Sequence, residues 1–315
     1  MALLSFEPVY QERIWGGQNL NKLFGRDIPS DKLIGESWEI CDRPEADVKL
    51  LEDGQASEKT LHTLWTSSDK KRIFGNKAPD TERFPILIKL LDAQEKLSLQ
   101  VHPPAELAQK FNGEPKTELW YFLDTIDEAM IYVGLKKGVS KKSFEEAIED
   151  RTVADCFHEV KTVNGEVMFL QSGRVHAIGA GNVILEIQQN SDTTFRVYDW
   201  DRLGTDGKPR ELHIQESLEC IDFKDFEPTF TQRHGNKLLE CPLFNIYRSD
   251  YYEKETKDLH ISTHTCQFLH TAQGNFKIGD QEIKRGTSLI ATADSGTLEV
   301  ECLEDYGELV TVSFP

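Results

Sequence analysis

At 315 residues the chain exceeds a single domain of roughly 100–200 residues, so two domains are expected. Apolar residues make up 38% and charged residues 29%, proportions of a soluble globular chain able to bury a large core. With 36 basic against 54 acidic residues the net charge is −18, a field that repels nucleic acid and anionic membrane and disfavours any anionic metabolite unless cations gather locally.

No stretch approaches the roughly 18 consecutive apolar residues of a membrane helix, and the longest run, Phe84–Leu91, is interrupted by Lys89. Met1–Phe6 has neither a basic nor a long apolar region, so no secretory signal is expected. Cys41, Cys156, Cys220, Cys241, Cys266 and Cys302 are dispersed without a CxxC pair, which reads as reduced thiols of a cytoplasmic protein.

Along the chain, helices are expected at Leu61–Ile73 from its apolar spacing and at Pro104–Phe111 from its leading proline. A third is expected at Ser140–Asp150, with a Ser143-x-x-Glu146 pattern, and a fourth at Arg210–Ile221. The rest reads as short strands: Phe84–Leu90, Leu97–His102, Leu119–Leu123, Met130–Val133, Val167–Leu170, Val183–Gln188 and Thr194–Tyr198. Beyond a polar stretch at Lys224–Glu240 come Phe244–Tyr247, His260–Leu269, Asn275–Ile278, Ser288–Ala291, Leu298–Cys302 and Leu309–Phe314. Many short strands with glycine-bearing turns indicate a sandwich or barrel, and the chain divides into an N-terminal domain at 1–230 and a smaller one at 231–315.

Three segments carry chemistry. In Leu97-Ser-Leu-Gln-Val-His102, strand alternation puts Ser98, Gln100 and His102 on one face and Leu97, Leu99 and Val101 on the other. An amide and an imidazole two residues apart suit one metal; the same pattern also suits a solvated face. Lys116-Thr-Glu118 directs a cation and a carboxylate the same way, as a site or as an exposed ion pair. Ser172-Gly-Arg-Val-His176-Ala-Ile-Gly-Ala-Gly181 has glycines that permit close backbone approach, and the next strand sets Glu186 among apolar residues, where a carboxylate is costly unless paired or functional. Arg196 is its natural partner, whether in catalysis or in a plain buried ion pair. Together Gln100, His102, Glu118 and His176 form a nitrogen and oxygen ligand set suited to a divalent metal such as Zn²⁺, with a site charge near +1 that attracts an oxyanion.

Gln100-Val-His102-Pro, Lys116-Thr-Glu118-Leu-Trp and Gly173-Arg-Val-His176-Ala-Ile-Gly, followed by Glu186 and Arg196, resemble the type I mannose-6-phosphate isomerases, in their short bacterial form. Arg13-Ile-Trp-Gly-Gly17, Gly35-Glu-Ser-Trp38 and Arg210-Glu-Leu-His213 extend the likeness from about residue 5 to residue 220. The resemblance implies a mainly β protein of double jelly-roll (cupin) barrels with a few short helices, the metal in the N-terminal barrel and none in the C-terminal one. It implies one Zn²⁺ per chain on Gln100, His102, Glu118 and His176, and catalytic or substrate roles for Lys116, Glu186 and Arg196. Glu186 is then the shuttling base of an enediol isomerisation between mannose 6-phosphate and fructose 6-phosphate. Arg196 would stabilise the enediolate or orient the sugar, and Lys116 would bind substrate or relay protons. Trp15, Trp38 and Ser98 are expected along the sugar pocket, although large aromatics in strand-rich domains are more often core.

Two other readings are a non-catalytic metal-binding cupin that senses a sugar, which would not need Glu186 and Arg196, and a cupin dioxygenase, which a Gln ligand and a cationic cleft fit less well. The expected partner is a small phosphosugar, with no nucleic acid or membrane, and no protein partner is inferable. His260, His264 and His270 share strand parity, but no acidic ligand falls on their face, so they read as solvated or satisfied histidines.

Overall fold

The computed structural model describes residues 2–204 and 207–315. The chain is mainly β, with sheets of eight, six, five and four strands and one two-stranded ribbon. The six-stranded sheet runs, edge to edge, Val167–Leu170, Glu118–Thr125, Asn182–Gln189, Ile86–Ala93, Ile34–Ile40 and Val9–Gly17. The five-stranded sheet runs Phe157–Lys161, Met130–Leu135, His176–Ile178, Leu99–Val101 and Phe195–Tyr198. These two sheets share a core that includes Trp120, Ile131, Val133, Met168, Ile178 and Ile184.

The other face of the six-stranded sheet packs Leu119, Tyr121, Leu185 and Ile187 against Phe268, Ile290 and Val310 of the eight-stranded sheet. That sheet in turn presents Leu269, Leu289 and Leu309 to Phe276, Ile278 and Val300 of the four-stranded sheet. Period-two alternation therefore gives each inner sheet two buried faces. Leu3–Ser5 pairs with Leu289–Ala291, so the first strand lies within a sheet built largely from the C-terminal third of the chain.

The double jelly-roll barrel expectation fails. Among the described residues no sheet closes on itself, and each has two edge strands in its hydrogen-bonding order. Closure needs tilt and register to run continuously around a ring, whereas the three-residue strands Leu99–Val101 and His176–Ile178 lie opposite eight-residue strands of the facing sheet. The result is stacked open sheets, and short strands with glycine turns suit that architecture equally well.

The expected helix at Leu61–Ile73 is two, Leu61–Trp65, which starts from a capping box of Thr60 and Thr63, and Lys70–Phe74, with the break at residues 66–69. Helix Lys141–Glu149 starts from a capping box of Ser140 and Ser143, one turn ahead of the Ser143–Glu146 pattern. The fourth shrinks to Ile214–Cys220, and Asn19–Phe24 is helical without having been expected. His260 ends one strand, His264 lies in a turn and His270 is buried in another strand, so the strand expected over His260–Leu269 is interrupted and the three histidines do not share one face. Among the described residues no helix is long and apolar enough to cross a membrane.

Candidate active site

Strand register assembles the site. In the five-stranded sheet His176 pairs with Gln100, and Gln100 pairs with Arg196, setting all three side by side. In the facing sheet Trp120 pairs with Glu186, Glu186 with Lys89 and Lys89 with Trp38. Two glycines make room. Gly173, at φ +90, donates its N–H to His102 O at 2.9 Å in the turn that delivers His176. At Gly35 a Cβ would lie 2.6 Å from Arg13 Cβ and 2.8 Å from the Trp15 ring, so only glycine lets those side chains pass.

His102, Glu118 and His176 meet at the buried floor between the sheets, their ligand atoms within 4.8 Å of one another. The Nδ1–H of His102 donates to Thr193 O at 2.8 Å and that of His176 to Arg174 O at 2.9 Å. A carbonyl only accepts, so both protons sit on Nδ1 and both Nε2 lone pairs point inward. Those nitrogens are 3.2 Å apart, and each lies 3.6 Å from an oxygen of Glu118. Among the described residues neither oxygen of Glu118 accepts a hydrogen bond, and Oε2 lies 3.0 Å from the Lys116 ammonium. Facing lone pairs beside a buried carboxylate repel unless a cation lies among them, and the spacings match the ~3.3 Å edge of a tetrahedron with bonds of about 2.0–2.1 Å. The Gln100 amide is 3.3 Å from His176 Nε2, and turned by 180° it would present its oxygen there. The residues fit a divalent metal.

Burial, with the nearby charge of Lys116, holds both imidazoles neutral, His102 well below its usual pKa and His176 down to about 4. Burial and the charge of Glu186 push the Glu118 carboxyl up to about 7.

Beside this cluster runs a ladder of buried charges. Lys116 Nζ is 3.6 Å from Glu186 Oε1, and Lys89 Nζ is 2.9 Å from the same oxygen and 3.5 Å from Glu36 Oε2. The Trp120 indole donates to Glu186 Oε2 at 2.8 Å, and the Trp38 indole to Glu36 Oε2 at 2.7 Å. Burial alone would raise the Glu36 carboxyl, but Lys89 and Arg13 hold it at about 2. Burial likewise opposes ionisation of Glu186, and Lys116 and Lys89 overcome it. Lys89 is held protonated by the two carboxylates against burial.

A cavity of about 560 Å³ opens onto these groups, lined by five basic side chains (Arg13, Lys89, Lys116, Arg196, Arg210) and four acidic ones (Glu12, Glu36, Glu186, Asp192). Near-balance here contrasts with the −18 of the whole chain. Trp15 and Ser98 line the cavity. Trp38 does not; it is core and orients Glu36. Sequence reading left Glu36, Lys89 and Arg210 without roles. The signal for Lys89 was present, a lysine inside the apolar run Phe84–Leu91.

Buried nitrogen and oxygen donors beside a cleft that holds carboxylates and cations are compatible with a metal-assisted enzyme site on a mainly β scaffold. Residues 3–126 match the model of the phosphomannose isomerase type I catalytic domain. The chain is 40% identical over 251 residues to the probable mannose-6-phosphate isomerase GmuF of Bacillus subtilis, covering 79% of this chain and 77% of the relative. Against mannose-6-phosphate isomerase ManA of the same organism the identity is 39% over 252 residues, 77% of this chain and 78% of that one. A crystal structure of the mannose 6-phosphate isomerase from Bacillus subtilis superposes with a TM-score of 0.86 at 28% identity, covering 99% of each chain. The chain belongs to the type I mannose-6-phosphate isomerase family and is an isomerase, which sets aside the sensor and dioxygenase readings.

Proposed function

We propose that this isomerase interconverts D-mannose 6-phosphate and D-fructose 6-phosphate, with one Zn²⁺ held by Gln100, His102, Glu118 and His176. The observation that carries this reading is that Gln100, the Glu186–Lys116 pair and two arginines line one cavity, with the His102–Glu118–His176 cluster joined to it through the Lys116–Glu118 ion pair. The metal, when bound, would supply Lewis-acid stabilisation of the oxygen charge that develops at C1 and C2.

Glu186 serves as the base. Its Oε2 is fixed by Trp120, and its Oε1 has only ammonium groups nearby, so an ionised oxygen of set orientation faces the cleft. It takes the proton from C2 of the open-chain aldose, and the C–H electron pair forms the enediolate, with charge on O1. The same proton returns to C1, while the O2 hydroxyl proton passes to O1 and leaves the ketone at C2. Lys116, between Glu118 and Glu186, orients the two sugar oxygens and carries that oxygen-to-oxygen proton.

The phosphate is taken by Arg196 and Arg210. Both line the cavity, and burial together with their mutual repulsion lowers the Arg196 pKa, a cost that an anion removes. Among the described residues, the buried Nε of Arg196 has no hydrogen-bond partner.

The test is turnover of mannose 6-phosphate by chelator-stripped protein with and without added Zn²⁺, alongside Glu186→Gln. The variant should keep its metal and lose about 10²–10⁴ in kcat, the usual worth of a positioned base. Zinc-loaded wild-type protein that fails to isomerise the sugar would overturn the reading. Full turnover by the metal-loaded variant would move the base elsewhere.

A further inference from the structure

A few residues after Arg196 the chain makes an unusual turn. Trp200 and Asp201 both adopt left-handed backbone, at φ +57 and +54, a conformation that non-glycine residues avoid and that two in succession keep only when side-chain contacts hold them. The contacts are specific. The Trp200 indole donates to Leu97 O at 2.7 Å. The Lys96 ammonium stands 4.5 Å from the Trp200 ring and 5.4 Å from the Tyr132 ring, and the two rings are 5.5 Å apart.

The residue before Trp200 is a hub. The Asp199 carboxylate, 5% exposed, takes Arg210 Nε at 2.7 Å and Nη2 at 2.5 Å, and Arg202 Nη2 at 2.7 Å. Arg202 Nη1 is 3.8 Å from Glu95, beside Lys96. The indole thus ties the arginine-bearing segment to Leu97, where the chain enters the strand of Ser98, Gln100 and His102. One side of this tie holds the reacting end of the cleft and the other holds the guanidinium that lines its wall.

We propose that Trp200, gripped by Lys96 and Tyr132, is a positioning residue that fixes Arg210 relative to the metal-ligand strand and so sets the length of sugar phosphate the enzyme accepts. The inference rests on the reading of Arg196 and Arg210 as the phosphate site. Trp200 touches no reacting atom; it acts through Asp199. A rigid separation favours a substrate whose phosphate lies a fixed number of carbons from C1 and C2, and a loosened one lets the arginine follow a shorter sugar.

The test compares wild type with Trp200→Ala on three substrates: mannose 6-phosphate, the one-carbon-shorter lyxose 5-phosphate, and unphosphorylated mannose. The variant should show a tenfold or greater rise in KM for mannose 6-phosphate with kcat within threefold of wild type. Inhibition by inorganic phosphate should weaken in parallel. The preference for mannose 6-phosphate over lyxose 5-phosphate in kcat/KM should fall at least tenfold, while kcat/KM for mannose stays unchanged. Should Trp200→Ala fold poorly, Lys96→Met is expected to give a smaller shift of the same kind and Lys96→Arg, which keeps a cation on the ring, to restore it.

An unchanged KM and unchanged substrate preference in both Trp200→Ala and Lys96→Met would overturn the proposal. So would a fall in kcat on mannose itself, which would place the effect on the metal strand. Arg210→Met separates the two ideas. If it leaves the KM for mannose 6-phosphate unchanged, the phosphate reading fails; if it raises that KM while the Trp200 variant does not, the positioning role alone fails.

Discussion

The two faces of the six-stranded sheet are made by the same strands and do opposite work. One carries Glu118, Trp120, Glu186 and Lys89 toward the cleft; the other carries Leu119, Tyr121, Leu185 and Leu90 toward the eight-stranded sheet. The cleft face buries charges that would be destabilising singly and are tolerable only as a connected ladder. The rear face buries hydrocarbon at roughly 25 cal/mol per Å² and supplies the rigidity that keeps the ladder in register. Substitution on the rear face should therefore lower stability without touching activity, whereas substitution on the cleft face should reach activity whatever it does to stability.

The largest effect belongs to the ligand cluster. His102→Ala removes one inward lone pair and should abolish turnover and metal retention together, read by elemental analysis, with only a modest loss in melting temperature. Next is Lys89→Met, which leaves Glu186 and Glu36 buried without the cation they share. Removing one partner of a buried pair costs about 3–5 kcal/mol, so denaturant unfolding should reveal a large loss and kcat should fall as well. A Lys89→Met protein as stable as wild type would mean that the ladder is not a unit.

Sequence reading went far for the cleft face and less far for the architecture. The candidate ligands Gln100, His102, Glu118 and His176 could be picked out because polar residues recur at strand parity, and Glu186 because it breaks an apolar strand; the fold brings His102, Glu118 and His176 together. Lys89 gives the same signal, yet its partners Glu36 and Glu186 lie 53 residues before and 97 after, and pairing at that range is set by strand order, which parity does not encode. Closure was likewise illegible. Alternation says which residues share a face and is silent on whether the last strand meets the first, so neither the short strands nor the resemblance could establish closure. The long strand expected over His260–Leu269 breaks at a turn near His264, because a run of even-numbered histidines mimics alternation without any pairing partner.

On the rear face Leu185→Ala should cost about 2–5 kcal/mol, the usual range for a fully buried leucine, while kcat at 20 °C stays within twofold. A larger change in kcat than in stability would refute the division by face. Glu36 gives a pH signature of the opposite face. Its carboxyl is held at about 2 in the folded protein against an ordinary 4.5, so its contribution is complete above pH 4.5 and is lost as pH falls from 4.5 toward 2. That shift corresponds to about 3 kcal/mol, and Glu36→Gln should flatten the stability profile within that window and be less stable than wild type at neutral pH.

The smallest expected effect lies at a polar pin on the rear face, which makes it the sharpest control. Tyr121 hydroxyl donates to Glu308 Oε2 and accepts from Arg248 Nη1 at 3.1 Å, joining the strand of Glu118 to the eight-stranded sheet. Tyr121→Phe keeps the ring and loses only the hydroxyl. Glu308 retains Tyr306 at 2.5 Å and Arg248 at 3.3 Å, so no charge is left bare. The cost should be about 1–2 kcal/mol, that of a hydrogen bond to a charged group. Since Tyr121 neighbours Trp120, which orients Glu186, a register shift of even a fraction of an ångström would be felt in kcat. Unchanged kcat in this variant, measured beside its melting temperature, would show that the apolar contacts of the rear face suffice to hold the catalytic strand in place.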